Sequence, residues 1–204
     1  MKEVIKILGY DPGLTATAWV LCTYNTKTGI LSISRTGEIC GDKTILKVKE
    51  QQAIYPASFL KLLQLEEEVK KLCTLKPDYV VCEDFFYQFG RHKAYAILAL
   101  CIHQIRLATK ESLGLPITLI PTKRAKQLLA GSGGASKEDV QEAIRISNDI
   151  VFETIHEQIK NTEDIVVNES TNRTINIDEL SHHVCDAIAV VYAFIKESLL
   201  ALEH

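Results

Sequence analysis

Apolar and polar positions change rhythm several times along the chain. Residues 3–10 form a compact run of β-branched and other apolar side chains, and residues 15–24, TATAWVLCTY, form another. A third run lies at 30–38, after the turn signal Asn25-Thr26-Lys27-Thr28-Gly29. Together they predict three consecutive strands, the second a hairpin partner of the first. From Pro56 to about Leu75 the rhythm turns helical, with Phe59, Leu62, Leu63, Leu65, Val69 and Leu72 apolar, and Pro77-Asp78 breaks it. YVVCE at 79–83 reads as a short strand. Residues 91–112 read as a long helix closed by Gly114 and Pro116, and ITLI at 117–120 as a further strand. Pro121 opens a helix that Gly131 stops. Ser136-Lys137-Glu138-Asp139 has the form of a capping box with Asp in place of the usual Glu or Gln. The helix it opens ends near Asn148-Asp149 or continues to about 160. Residues 161–178 are polar and read as a loop or small hairpin, and a final helix runs from about Glu179 to Leu200.

Antiparallel strands first and αβ alternation afterwards predict an α/β fold. Its mixed sheet has five strands, three antiparallel and then parallel ones, with helices on both faces. No internal repeat or linker interrupts the chain, so residues 1–201 are expected to form a single domain. Leu202-Glu203-His204 reads as the stub of an expression tag and is set aside.

Composition narrows the possible roles. With 47% hydrophobic and 24% charged residues in 204, a sizeable core is expected and global disorder is not. The formal net charge of −3 means that a nucleic acid would have to meet a local basic patch. No apolar run approaches the roughly 18–20 residues needed to span a bilayer, so no membrane role is expected. The N-terminal apolar stretch is short and broken by Lys6, unlike a signal peptide. Six cysteines, at 22, 40, 73, 82, 101 and 185, form no CxxC pair and sit mostly in apolar surroundings. They are expected to be reduced, buried thiols of a cytoplasmic protein.

Two of the predicted strands end in a carboxylate: Asp11 after VIKILGY, set against Pro12-Gly13, and Glu83 after YVVC. Asp-Pro-Gly favours a turn on backbone grounds alone. In open α/β sheets, however, ligands bind at the carboxyl ends of strands. If the first and fourth strands are neighbours, Asp11 and Glu83 stand side by side and repel each other. A divalent cation such as Mg²⁺ or Mn²⁺ would remove that repulsion. In the final helix, Leu180, Val184, Ala187, Ile188, Val191 and Ile195 make a buried stripe, and His183 and Asp186 share a face at its edge. The simpler reading of that pair is a local contact near the helix start. Asp178 and Glu179 are expected to serve the helix N-terminus electrostatically. The stretch KQLLAGSGGASK, residues 126–137, is bracketed by Lys126 and Lys137, with Lys123 and Arg124 just upstream. Gly131, Gly133 and Gly134 would let its backbone approach a phosphate. It lacks the order of a Walker P-loop, and a flexible helix–helix connection is the simpler reading.

Taken together, these stretches resemble the RuvC-like Holliday junction resolvases of the RNase H-like superfamily. The resemblance covers roughly 4–148 and 179–195. GYDPGLTATAW resembles the family's first motif, with Asp11 as its metal-binding aspartate, and CEDFF its second, with Glu83 as the glutamate. Phe86 matches an aromatic thought to stack on junction bases. KQLLAGSGGASKEDVQ is similar to a stretch that places Lys126 and Lys137 at phosphate-contacting lysines. HHVCDAIAV resembles the last motif, with Asp186 as its carboxylate and His183 where the family holds Asp or His. The resemblance implies an RNase H-like sheet and a metal-dependent endonuclease that nicks four-way DNA junctions. Asp11, Glu83, His183 and Asp186 would hold two Mg²⁺ or Mn²⁺ ions. Lys126 and Lys137 would act at the site, and Phe86, Lys123, Arg124, Gly131 and Gly133 would bind substrate. Paired symmetric nicks, leaving 5′-phosphate and 3′-hydroxyl ends, call for a two-fold homodimer. The apolar 91–112 helix is a candidate for part of its interface. Residues 149–178 are longer than the family's usual connection, and 40–56 has no clear match. Two other readings stand beside this one. A non-catalytic module that binds branched DNA would have lost metal ligands. A nucleotide-binding protein of the actin or hexokinase kind, which DPGLTAT also resembles, would need a second domain and phosphate loop.

Overall fold

A computed structural model describes residues 2–40, 56–84, 92–153 and 175–199. The chain opens with β1 (Val4–Asp11), β2 (Ala16–Asn25) and β3 (Leu31–Cys40), then α1 (Ala57–Cys73), β4 (Tyr79–Asp84) and α2 (His92–Leu113). There follow β5 (Ile117–Pro121), α3 (Thr122–Ala130), α4 (Lys137–Ile146), β6 (Ile150–Phe152) and α5 (His182–Phe194). Two short pieces flank α5: a 3₁₀ turn at Ile177–Glu179 before it and a π-turn at Ile195–Leu199 after it.

The sheet runs in the order β5-β4-β1-β2-β3-β6. β1, β2 and β3 are antiparallel, whereas β4 pairs parallel to β1, β5 to β4 and β6 to β3. The sheet is therefore mixed, with helices on both faces, and the predicted class holds. The strand count differs, since the described residues form six strands and not five. Ile150–Phe152 falls where the Ser136 helix was expected to have ended or to continue to about 160, yet it pairs with Leu31–Ile33 as a strand. Three residues are too few to show a period in the sequence, and their strand form depends on the free edge of β3. Residues 154–174 and 202–204 lie outside the described residues.

Both faces of the sheet are covered, which explains why β1 reads as a nearly continuous apolar run. On one face, Leu8, Tyr10, Leu21, Val80 and Cys82 pack with Leu62, Leu65 and Val69 of α1 and Cys101, Ile102 and Ile105 of α2. On the other, Ile5, Ile7, Ala18, Val20 and Val81 meet Val184, Ala187, Ile188 and Val191 of α5, with Ala125 of α3 and Val140 and Ile144 of α4. Five cysteines are buried as free thiols: Cys22, Cys73, Cys82, Cys101 and Cys185. No described helix is long and apolar enough to cross a membrane.

Local signals set several boundaries. The Ser136 capping box forms as the sequence predicts, with Asp139 as its second member. α4 stops at Ile146 and does not continue to 160. The last helix begins later than expected, because the Ser181 hydroxyl caps it by accepting the Val184 N–H. Asp178 and Glu179 thus precede the helix, and Asp178 pairs with Arg145 of α4. In α1 the buried stripe is Leu60, Leu62, Leu65, Val69 and Cys73, while Phe59 and Leu63 are exposed.

Candidate active site

Three elements converge at the carboxyl end of the sheet centre. β1 and β4 run parallel in a register that pairs Gly9 with Val81 and Tyr10 with Cys82. Asp11 and Glu83, the next residue on each strand, therefore emerge side by side. α5 crosses β1 at Gly9, where a β-carbon would come within 2.4 Å of Val191 Cγ2 and 3.2 Å of the Ala187 carbonyl. That close approach puts His183, one helical turn before Ala187, over Asp11, two residues beyond Gly9 on the same face. His183 Nδ1 lies 2.8 Å from Asp11 Oδ2. The local His183–Asp186 pair gives way to this longer-range contact. The Asp11 side chain is only 10% exposed, against 52% for His183.

The electrostatics reflect how closely these acids are held. Burial, then a hydrogen bond with Asp11 and that residue's charge, raise the Glu83 carboxyl from 4.5 to about 9. Burial beside Asp11 thus favours the protonated form of Glu83. The Thr122 hydroxyl, at the start of α3, donates to Glu83 and partly offsets the rise. Asp186 is also raised, first by burial and then by Asp11, with Lys126 and Lys137 pulling the other way. His183 is raised because it hydrogen-bonds Asp11, against the opposing effects of burial and of Lys137. Asp11 therefore acts on Glu83, His183 and Asp186, and both lysines act on Asp186.

Three carboxyl groups and an imidazole are donors that suit hard divalent cations. The proton that Glu83 must keep beside Asp11 has the sign of a cation's charge, and the donor set fits Mg²⁺ or Mn²⁺ by type. Among the described residues, however, no group of three or more His, Cys, Asp or Glu side chains is spaced to hold a metal ion.

The basic stretch wraps one side of these acids. Lys126 is half-buried and its Nζ donates to the Ala135 carbonyl at 3.2 Å, while Lys137 and Lys123 are exposed. Arg124 pairs with Glu197 of the π-turn, which ties α3 to the chain end. Gly131 takes a left-handed conformation, φ 78°, as the cap of α3. Gly133 sits against Lys123, whose carbonyl would be 3.0 Å from an added β-carbon. Phe86 lies outside the described residues.

Several contributors escaped the sequence reading. Gly9 is one, although a glycine inside an apolar strand is itself a sign of close backbone approach. Thr122 is another, concealed as an ordinary residue at a helix start. Glu38 of β3 accepts a hydrogen bond from the Ser181 hydroxyl and so joins β3 to the beginning of α5. Nothing in the sequence links residues that far apart.

No protein-family model matches the chain. By sequence it is similar to the crossover junction endodeoxyribonuclease RuvC of Chloroflexus aurantiacus. The two are 25% identical over 144 residues, covering 70% of this chain and 79% of that protein. RuvC of Syntrophomonas wolfei is 29% identical over 138 residues, 67% of this chain and 72% of that one. By structure it is similar to Thermus thermophilus RuvC, with a TM-score of 0.65, 16% identity and 97% of each chain covered. The same protein in complex with a Holliday junction substrate superposes equally well, at 0.65. The yeast mitochondrial Holliday junction resolvase Ydc2 follows at 0.56 and 14% identity, covering 93% of this chain and 77% of that one. Sequence and fold agree, and the chain is a homologue of the RuvC-type, RNase H-like Holliday junction resolvases.

Proposed function

We propose that this protein is a metal-dependent endodeoxyribonuclease that resolves four-way DNA junctions by paired symmetric nicks, leaving 5′-phosphate and 3′-hydroxyl ends. Homology to the resolvases supports a nuclease acting on branched DNA. The observation that supports the finer reading is the coupling of Asp11 to Glu83, His183 and Asp186 at the carboxyl ends of β1 and β4, with Lys126 and Lys137 acting on Asp186. In this reading residues 1–201 form one nuclease domain working in the cytoplasm.

Asp11, Glu83, His183 and Asp186 would hold two Mg²⁺ or Mn²⁺ ions, which supply the charge that activates a water and stabilises a leaving 3′ oxygen. The chain's own part is placement and charge. Lys126 and Lys137 neutralise phosphate oxygens beside the acids, so binding weakens as salt rises. Lys123 lies exposed on the same stretch and extends the path for the backbone. Gly131 and Gly133 keep the loop between the two lysines narrow. Arg124, engaged with Glu197, serves the substrate by fixing α3. Phe86 would stack on a base at the crossover. To serve as a ligand Glu83 would have to give up its proton. Two copies related by a two-fold axis would present two such sites to one junction, and Ile97, Leu100 and Leu107, exposed along α2, offer apolar surface for that contact.

The spacing of the acids favours a second reading, a branched-DNA binding module without catalysis. One experiment separates the two. End-labelled four-way junction and linear duplex of the same arms are incubated with Mg²⁺, Mn²⁺ or chelator, with Asp11→Asn alongside. Paired, metal-dependent nicks near the crossover, absent in the variant, are expected. Junction binding without cutting under any metal would select the binding module instead. No affinity for either DNA would count against a nucleic-acid role.

A further inference from the structure

The turn that carries Asp11 is fastened from the opposite face of the sheet. Asp11 pairs with Ala18 across β1 and β2, and Ala18 belongs to the core under α5. Thr17, the preceding residue, points the other way. With Gly13, Leu14, Ile39, Lys61 and Leu65 it lines a small hollow beneath α1. Thr17 is 1% exposed, one of few buried polar side chains among the described residues. Its hydroxyl donates to the Gly13 carbonyl at 2.8 Å and accepts the Gly13 N–H at 3.2 Å. One buried oxygen thus satisfies both backbone groups of the residue two places after Asp11.

The surroundings make that clamp hard to replace. Pro12 has no N–H and fixes its own φ, so it adds rigidity but no donor. A β-carbon on Gly13 would lie 2.5 Å from the Ala16 carbonyl, so the turn is too tight to widen around a substitute. Without the hydroxyl, a part-buried N–H and carbonyl would go unpaired or the turn would open towards water. Either change moves the backbone that aims the Asp11 carboxylate.

We propose that Thr17 is a positioning residue, whose hydroxyl clamps Gly13 and so holds Asp11 against His183 and Glu83. The inference rests on the reading of Asp11 as an active-site carboxylate. It predicts a loss confined to chemistry and metal uptake, since Thr17 lies on the face away from the basic stretch.

The test compares wild type, Thr17→Val, Thr17→Ala, Thr17→Ser and Asp11→Asn as full chains. It measures junction affinity, nicking rate on bound junction, and Mn²⁺ uptake by the DNA-free protein from the resonance of free Mn²⁺. A thermal melt checks folding. Thr17→Val is expected to slow nicking by roughly 10- to 100-fold and raise the half-saturating Mn²⁺ concentration, with junction affinity changed by no more than about twofold. Thr17→Ser, which keeps the hydroxyl, should restore both quantities. If Thr17→Val fails to fold, the contrast between Thr17→Ala and Thr17→Ser carries the same decision. Nicking and Mn²⁺ uptake equal to wild type in a folded variant without the hydroxyl would overturn the clamp. A wild type that neither nicks junctions nor takes up more Mn²⁺ than Asp11→Asn would overturn the nuclease reading, and the clamp with it.

Discussion

Glu83 holds its proton well above the usual carboxylate range because it is buried beside Asp11. Burial comes first and the Asp11 carboxylate second in raising Glu83 from 4.5 to about 9. A group whose pKa is raised on folding binds its proton more tightly in the native state. Its stabilisation is complete below the unfolded value and is lost as pH rises through the folded one. For Glu83 that window runs from about 4.5 to about 9. His183, raised by its bond to Asp11, has the same sign, with its contribution complete below 6.5 and declining above. In chelator, therefore, the Tm of wild type should fall relative to that of Glu83→Gln as pH climbs through this window. Parallel profiles would remove Glu83 as the titrating group. A cation that takes the proton's place should bind more tightly over the same rise in pH. Calorimetric titration with Mn²⁺ in buffers of different ionisation enthalpy should register proton release.

At the scale of elements, the site depends on how closely α5 lies on β1. Gly9 is where they touch, and Val191 and the Ala187 carbonyl leave no room for a β-carbon. Gly9→Ala should destabilise the fold by about 1–3 kcal/mol through overpacking and lift His183 away from Asp11. Adding Val191→Ala removes the nearest clash and should recover part of the Tm in thermal melts. A Gly9→Ala protein as stable as wild type would show that the helix can shift without cost. Such packing is not local, and this limits what a sequence can disclose. The Ser136 capping box was legible because its partners are three residues apart. The start of α5 was misplaced because the acidic pair Asp178-Glu179 imitates a helix N-terminus, whereas Ser181 is the cap and Arg145 takes Asp178. The α1 stripe was off in phase at Phe59 and Leu63, because helical periodicity alone does not say which residues face the sheet.

For the whole molecule, a mildly acidic chain can still meet DNA if its positive charge is gathered in one place. Lys123 and Lys126 lie on α3 and Lys137 at the start of α4, on one side of the acids. Neutralising Lys126 and Lys137 together should reduce the slope of junction affinity against salt by about two in logarithmic units, one for each lost phosphate contact. An unchanged slope would move the DNA path elsewhere. Ile97, Leu100 and Leu107 remain 37%, 50% and 37% exposed on a helix whose other side is buried against α1 and the sheet. If two copies meet there, Leu100→Glu should shift the sedimentation of the protein from dimer to monomer. It should also replace paired nicks with single, uncoordinated ones. Sedimentation identical to wild type would place the two-fold contact on another surface.

The sequence by itself determined the class of fold and the identity of the candidate chemistry. Strand and helix periods, turn residues and carboxylates at strand ends are local properties, set by backbone sterics and by the burial of apolar side chains. They were enough to single out Asp11 and Glu83, whereas the roles expected of His183, Asp186 and the lysine-bracketed loop came with the family resemblance. The tertiary structure decided which of these groups touch. Parallel pairing of β1 with β4 put Asp11 beside Glu83, and the bare face at Gly9 let α5 bring His183 to Asp11 in place of a local pairing with Asp186. It also decided that Arg124 turns to Glu197 and that three residues after α4 extend the sheet. Thr17, an unremarked member of a β-rich run, became the fastening of the Asp11 turn. These outcomes depend on register and close packing between segments far apart in the chain, and no period within one segment encodes them.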